Sequence, residues 1–280
     1  MENKSVKDYS VSGEEFQLVF DAVLELYKTE PQPSLEKLGS YYESEDYISH
    51  TDAKRNLFEK IYHWVRSYML SKKIKLVEQH TKSDTKKLLD IGCGTGDFLA
   101  IAKKRHWEIA GVEPDAQARK IASKKTATKI ETNEYLSQIP NESFDAITMW
   151  HVLEHVPNLS EQIQTLKRLL KPNGTIFIAV PNFKSHDAKH YKEFWAAYDV
   201  PRHLWHFSQT SIKKLFQKEN MKVVKILPMK FDAYYVSLLS EKHKNGKMNP
   251  IKGFYRGFLS NLKAKSSSEY SSLIYVIQND

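Results

Sequence analysis

Three glycines at alternate positions, Gly92, Gly94 and Gly96 in "LLDIGCGTGDFLAIA", are the first residues whose type and spacing point to chemistry. Glycine tolerates φ > 0 and lets a ligand approach the main chain with no Cβ in the way. An apolar run ends at Ile91 and a helix-forming stretch begins at Asp97, so the turn offers helix N–H groups to polar ligand atoms. The order G-C-G-T-G is not the G-x-G-x-x-G of a dinucleotide loop, and no G-K-[ST] follows it, which removes a P-loop. Glu113, in "GVEPD", stands about twenty residues further on, where an acid can accept both hydroxyls of a ribose. A glycine-rich turn alone can also be purely structural. Asp90, the glycines and Glu113 form the joint pattern that carries the ligand reading.

Histidine supplies the second concentration of chemistry. In "WHVLEHV", His151, Glu154 and His155 have i, i+3, i+4 spacing and would share one face of a helical turn. The alternative is that Glu154 caps or pairs locally while the histidines pack. Further on, "HDAKHYKEFWAAYDVPRHLWHFS" gathers four of the eleven histidines, among them His203, with Arg202 beside it. Its last part reads equally well as a cap for a helix starting near Ser208, with Trp205 and Phe207 in the core.

The elements that must position these residues follow from periodicity. "KLLDIG", "EIAGVE", "ATKIE", "DAITMW" and "TIFIAV" read as strands, and "GDFLAIAKKR", "DAQARKIASKK", "LSEQIQTLKRLL" and "QTSIKKLFQKE" as the helices between them. That alternation predicts an α/β fold, doubly wound, with a mostly parallel sheet covered on both faces. "KVVKILP" and "SLIYVIQ" are two further strands, bringing the expected sheet to seven, with an aromatic, basic helical insert at about 230–268 between them. Ligands in such sheets bind beyond the carboxyl ends of the strands, where both clusters lie. Ahead of the sheet, Leu57, Ile61, Trp64, Val65 and Tyr68 recur at helical spacing, and residues 1–85 are expected to form a helical cap or lid on a domain spanning 86–280. "YYESEDYISH", with Tyr41, Tyr42, Tyr47 and His50, is either part of that lid or ordinary packing.

Composition bounds the setting. A chain of 280 residues with 41% hydrophobic and 12% aromatic content can bury a substantial core. No apolar run is long enough to span a membrane, the start lacks a signal-peptide pattern, and the one cysteine, Cys93, excludes an internal disulfide and an all-cysteine zinc site. A reducing cytoplasm is the expected compartment. The net charge of +8 is spread over helix faces rather than gathered in a block with interleaved aromatics, so a nucleic-acid partner is not expected. A small, anionic acceptor suits the same charge.

"LLDIGCGTGDFL", "GVEPD", "FDAITMWHVLEHV" and "LLKPNGTIFIAVPN", in this order and spacing, resemble the successive motifs of class I S-adenosylmethionine-dependent methyltransferases, densely over about 86–228. The resemblance implies a Rossmann-like methyltransferase using S-adenosylmethionine. It implies that Gly92, Gly94 and Gly96 lie along the methionine portion, that Asp90 orients the loop and the amino group, and that Glu113 holds the ribose. Cys93, Pro114 and Trp150 border the cofactor in the same motifs, and Asn133, Glu134 or Tyr135 stands near the adenine. "WHVLEHV" is similar to the segment of quinone O-methyltransferases that carries two glutamates and a histidine around a divalent metal. His151 replaces the first glutamate, so no metal is expected and the catalytic candidates are His203, His151 and His155. In related sugar and other small-molecule methylases a "HLxxFS" element borders the acceptor, which makes His203 the candidate base. The N-terminal "VSGEEFQLVFDAVLELYKTEPQPS" resembles a zinc-ribbon preface in which a Cys-x-x-Cys pair stands where this chain has Asp21 and Leu24. The resulting expectation is in-line transfer to oxygen or carbon of a small molecule. Two alternatives stand beside it: an RNA or protein methyltransferase, against which "TMWHVLEHV" lacks the Asn/Asp-Pro-Pro-aromatic element of amino methylation, and a non-catalytic cofactor-binding scaffold.

Overall fold

The computed structural model describes residues 2–34, 37, 39–42, 57–83 and 85–280; Tyr47 and His50 lie outside the described residues. The chain starts in antiparallel strands β1 (Lys4–Lys7), β2 (Glu15–Asp21) and β3 (Leu26–Glu30). The expectation of a helical cap is therefore corrected for this stretch. Phe16 and Leu18 alternate with solvent-facing neighbours, the period of a half-buried strand, and both are buried. The turns are held by carboxylates. Asp8 accepts the amides of Ser10, Val11 and Ser12, and Asp21 accepts those of Val23 and Leu24 at 2.8 and 2.9 Å. At the position where the similar preface has its cysteine pair, an Asx turn does the local ordering.

Helix α1 (Leu57–His80) follows and buries Ile74 and Val77. Alternation then begins: β4 (Lys87–Ile91), α2 (Asp97–Lys104), β5 (Glu108–Val112), α3 (Ala116–Thr126), β6 (Phe144–Trp150), α4 (Leu159–Leu169) and β7 (Leu170–Pro181). Helix α5 (His186–Tyr191), short strand β8 (Trp205–His206), α6 (Gln209–Gln217), β9 (Met221–Pro228), α7 (Asp232–Asn245), α8 (Pro250–Ser267) and β10 (Ser272–Asn279) complete the chain. The central sheet has six strands in the order β5-β4-β6-β7-β10-β9. β5, β4, β6 and β7 pair in parallel, and β10 runs antiparallel to both β7 and β9.

The inner strands are apolar without alternation because helices cover both faces. Leu88, Leu89, Ala146, Ile147 and Ile176 to Val180 have almost no exposed surface. On α4, Leu159, Ile163, Leu166 and Leu169 are buried on one stripe, each contributing roughly 2 kcal/mol.

The seventh strand, expected at "ATKIE", is reduced to a single parallel bridge between Val112 and Glu131. Helix α3 runs on to Thr126, Ala127 caps it at a left-handed φ of 46°, and Lys103 Nζ takes the carbonyls of Thr126 and Ala127 that the helix end leaves open.

The N-terminal strands are stitched to the later chain. β3 pairs with β8, which makes a four-stranded sheet β1-β2-β3-β8, and Thr29 N donates to Leu204 O at 3.0 Å. No helix among the described residues is long and apolar enough to cross a membrane.

Candidate active site

The turn after β4 carries Gly92, Gly94 and Gly96 at φ 68, 53 and 76°, all left-handed. Val112 O, on the neighbouring β5, accepts the amides of Gly92 and Cys93 and anchors the turn. The three glycines then part company. A Cβ on Gly92 would stand 2.5 Å from Val152 Cγ2, and one on Gly96 would stand 2.9 and 3.0 Å from Cβ and Cα of Ala122. Those two are small so that the protein can close on itself. A Cβ on Gly94 meets nothing within 4 Å, so this is the glycine whose bareness opens onto space.

Glu113, 7% exposed, reaches back to this opening. Its Oε2 accepts the Gly94 amide at 2.8 Å and its Oε1 the Asp115 amide at 3.0 Å. Burial pushes the Glu113 carboxyl up, against these two amides. Asp90, deeper at the end of β4, accepts the Thr148 hydroxyl at 2.6 Å. Burial pushes its carboxyl up to about 7, despite that hydrogen bond and the cationic Lys73 opposite. Lys73, from α1, is lowered to about 8 by burial, and its Nζ lies 4.3 Å from the centre of the Trp150 ring. Cys93 is buried, and its thiol is pushed up by burial and by the Asp90 and Glu113 carboxylates, which leaves it unreactive. Pro114 and the turn residues Asn133, Glu134 and Tyr135 are exposed at the same edge, beyond the Val112–Glu131 bridge.

Past the end of β6 the structure divides the histidines. His151, at a left-handed φ of 59°, lies between two carboxylates: Nδ1 stands 3.3 Å from Glu154 Oε1, and Nε2 stands 3.1 Å from Asp232 Oδ2 at the start of α7. Burial lowers its pKa, but Asp232 and Glu154 outweigh burial and raise it to about 9, so His151 is a cation at neutral pH. It has no lone pair with which to act as a base. His155 turns the other way, toward His203, with ring centres 4.6 Å apart and nearly perpendicular. His155 is lowered to about 4 by burial and by the neighbouring His203.

Each of this second pair has its Nδ1 on a backbone carbonyl, Arg202 O at 3.0 Å and Ala197 O at 2.9 Å. Those contacts select the Nδ1–H tautomer and present both Nε2 lone pairs. Asp199 Oδ2 lies 3.7 Å from His203 Nε2, and the Asp199 carboxylate also pairs with Arg202. Arg202, beside His203 in sequence, is thus engaged within the protein.

Glu154 is 1% exposed, and neither carboxylate oxygen has an aligned hydrogen bond. Its carboxylate, His155 and His203 offer ligand atoms that all lie within 4.8 Å of one another. The expected "HLWHFS" cap also forms: Ser208 and Ser211 make a capping box on α6, with Phe207 buried. Sequence reasoning missed Asp232, Lys73 and Asp199, which reach the site from elements with no local motif.

A family model described as a methyltransferase domain matches residues 61–226, more than half of the chain. The chain belongs to the methyltransferase domain family. Among its relatives is a ubiquinone biosynthesis O-methyltransferase of Dechloromonas aromatica (strain RCB), 32% identical over 118 residues, covering 39% of this chain and 50% of that protein. A protein of the same name from Pasteurella multocida (strain Pm70) is 33% identical over 113 residues, covering 35% and 47%. The chain thus spans about half the length of these curated relatives. Among solved structures, an S-adenosylmethionine-dependent methyltransferase from Archaeoglobus fulgidus superposes with a TM-score of 0.54 at 18% identity, over 80% of this chain and 98% of that one. Geranyl diphosphate C-methyltransferase from Streptomyces coelicolor A3(2) gives 0.55 at 13% identity, over 82% and 83%. These two likenesses establish a methyltransferase fold, Rossmann-like and six-stranded here.

Proposed function

We propose that this protein is a cytoplasmic enzyme that transfers the methyl group of S-adenosylmethionine to oxygen or carbon of a small molecule. The observation that carries the proposal is the open Gly94, with the Glu113 carboxylate on its amide and the buried Asp90 behind it. Glu113 would take ribose hydroxyls and Asp90 would meet an ammonium group, which its charged form would hold strongly in this buried setting. The cofactor brings an already activated sulfonium methyl, so the chain must align an acceptor and exclude water. The names of the relatives support a small hydroxylated acceptor, and the buried free Cys93 suits a reducing compartment.

For a hydroxyl acceptor, His203 Nε2 is the proposed proton acceptor. The Ala197 carbonyl holds its tautomer, and Asp199 stands beside Nε2 to stabilise the imidazolium that results. His151, a cation between Asp232 and Glu154, acts as a fixed charge at the mouth rather than as the base. Titrating S-adenosylmethionine into the protein by calorimetry, then following methyl transfer onto fractionated metabolites, tests the reading. Absence of any cofactor binding would sink it.

A second reading is favoured by one observation, the buried Glu154 carboxylate, which has an ion pair to His151 but no aligned hydrogen bond and lies close to two further histidine nitrogens. Glu154, His155 and His203 would hold a divalent cation, with both histidines oriented through carbonyls on Nδ1. A set of two nitrogens and one carboxylate suits zinc or another transition ion better than Mg²⁺. Such an ion would supply Lewis-acid polarisation of the acceptor. Metal content of the purified protein and activity after chelation decide between the two. Full activity in metal-free protein removes the ion.

A further inference from the structure

Helix α8 is inside out. Its buried side is the small-residue stripe Gly253, Gly257, Ser260 and Ala264. Cβ atoms added at the two glycines would stand 2.8 Å from Leu238 Cα and 2.7 Å from Tyr234 Cα, so α7 and α8 are in backbone contact. With the small residues turned inward, the large apolar ones at helical spacing face out. Ile251 is 84% exposed, Phe254 65%, Tyr255 56%, Phe258 50% and Leu262 45%. An ordinary surface helix would hide these and show its small and polar residues. Single exposed apolar side chains need no explanation, but five on one helix face, opposite the packed face, do.

The charge around this face narrows what can cover it. Between Glu241 and Glu269 the chain has no acidic residue and seven lysines or arginines. Lys252 and Lys263 lie exposed on one flank of the apolar stripe, and Lys265 lies exposed at its C-terminal end. A second copy of the chain docked face to face would set these cations against each other with no carboxylate on the helix to offset them. An apolar stripe with aromatics and basic flanks is the pattern of a helix lying in a bilayer interface, and electrostatic attraction then selects anionic lipid.

The apolar surface also leads somewhere. Tyr234 packs on Phe254 at 4.5 Å, Tyr235 beside it is 51% exposed, and Phe231 meets Tyr68 of α1 edge-on at 6.2 Å. The next residue, Asp232, is the carboxylate on His151.

We propose that the α7–α8 hairpin docks the protein on an anionic bilayer surface through the Ile251–Phe254–Phe258–Leu262 face, with the site mouth at the interface. An amphiphilic acceptor then reaches His151 and His203 from the membrane. That delivery step rests on the methyl-transfer reading, while the docking itself does not.

The test is flotation of the full chain with phosphatidylcholine vesicles, with and without phosphatidylglycerol. The wild type should float only with the anionic vesicles, and added salt should release it. Phe254→Ser with Phe258→Ser should weaken partition about tenfold or more, and Lys252→Glu with Lys263→Glu should do the same. S-adenosylmethionine affinity and melting temperature should stay at the wild-type level in both, since all four side chains are exposed. A wild type that stays behind with anionic vesicles overturns the proposal. So does a dimer in sedimentation that the Phe substitutions dissociate, because a second copy then covers the face. A protein that floats but binds no S-adenosylmethionine keeps the docking and removes the methyl-transfer reading.

Discussion

The cradle after β4 and the histidine cluster beyond β6 lie at the carboxyl ends of adjacent strands and are built in opposite ways. The cradle is made mostly of backbone: three left-handed glycines, two amides on Val112 O, and one carboxylate reaching back from the next strand. The cluster is made of side chains from distant stretches, with His151 and His155 meeting Asp232, His203 and Asp199. A backbone site suits a ligand that stays the same across a family. A side-chain site can be rebuilt for each acceptor. The contrast makes cofactor chemistry readable and leaves the acceptor to be found by experiment.

Exchanging glycines should separate binding from folding within the cradle. Gly94→Val should cost about 100-fold in S-adenosylmethionine affinity, because the side chain fills the one open position. Its folding stability should fall only by the strain of a left-handed non-glycine residue, about 1–2 kcal/mol. Gly96→Ala should do the reverse and lower stability by roughly 2–4 kcal/mol, since its Cβ meets the Ala122 backbone. Calorimetry and thermal melts on the two proteins decide this, and equal behaviour would erase the distinction between the glycines.

On the other side, His203→Gln should lower kcat by about 100-fold or more while leaving cofactor affinity unchanged. A fall in affinity instead would place His203 in the cradle.

Protonation gives a smaller and more specific contrast. Asp90 is raised to about 7, so below that pH a bound ammonium group must first displace its proton. Affinity should therefore drop by up to about tenfold per pH unit on the acid side. The sign for the ligand-free protein is opposite. The contribution of Asp90 to stability is complete below the ordinary aspartate value and is lost as pH rises through about 7. Asp90→Asn should then stabilise the ligand-free protein at pH 8 by up to about 4 kcal/mol, while losing the cofactor.

His151, raised to about 9, stabilises the fold below the ordinary histidine value, and that support fades as pH rises through 9. The ring is about a third exposed, so solvent screening reduces the effect to about 1–2 kcal/mol. Melts of His151→Gln should be flatter than the wild type across that window.

The parts of this molecule that were legible in sequence are those in which local period and local structure agree. Leu88 to Ile91 and Ile176 to Val180 are continuous apolar runs because both faces are covered, and the glycines interrupt them where the chain must turn. The N-terminal sheet escapes that reading although Phe16, Leu18 and Phe20 alternate: its turns are ordered by the side chains of Asp8 and Asp21, with Gly13 left-handed before β2, and not by a two-residue hairpin signal. The third strand shrinks to one bridge because α3 runs on to Thr126 and Ala127 serves as its left-handed C-cap, which leaves little chain to extend before Glu131. Within the site, spacing linked His151 to Glu154, but His155 turns away toward His203, and spacing had no means of finding Asp232 or Lys73. Their partners lie on separate elements, and only the fold makes them neighbours.

The central claim is that Gly94 and Glu113 form the cofactor's seat. One calorimetric titration with S-adenosylmethionine tests it most directly, comparing the wild type with Glu113→Ala. The account predicts one site per chain in the wild type and at least about tenfold weaker binding once the carboxylate is gone. Binding that is absent from the wild type, or unchanged in Glu113→Ala, would contradict it.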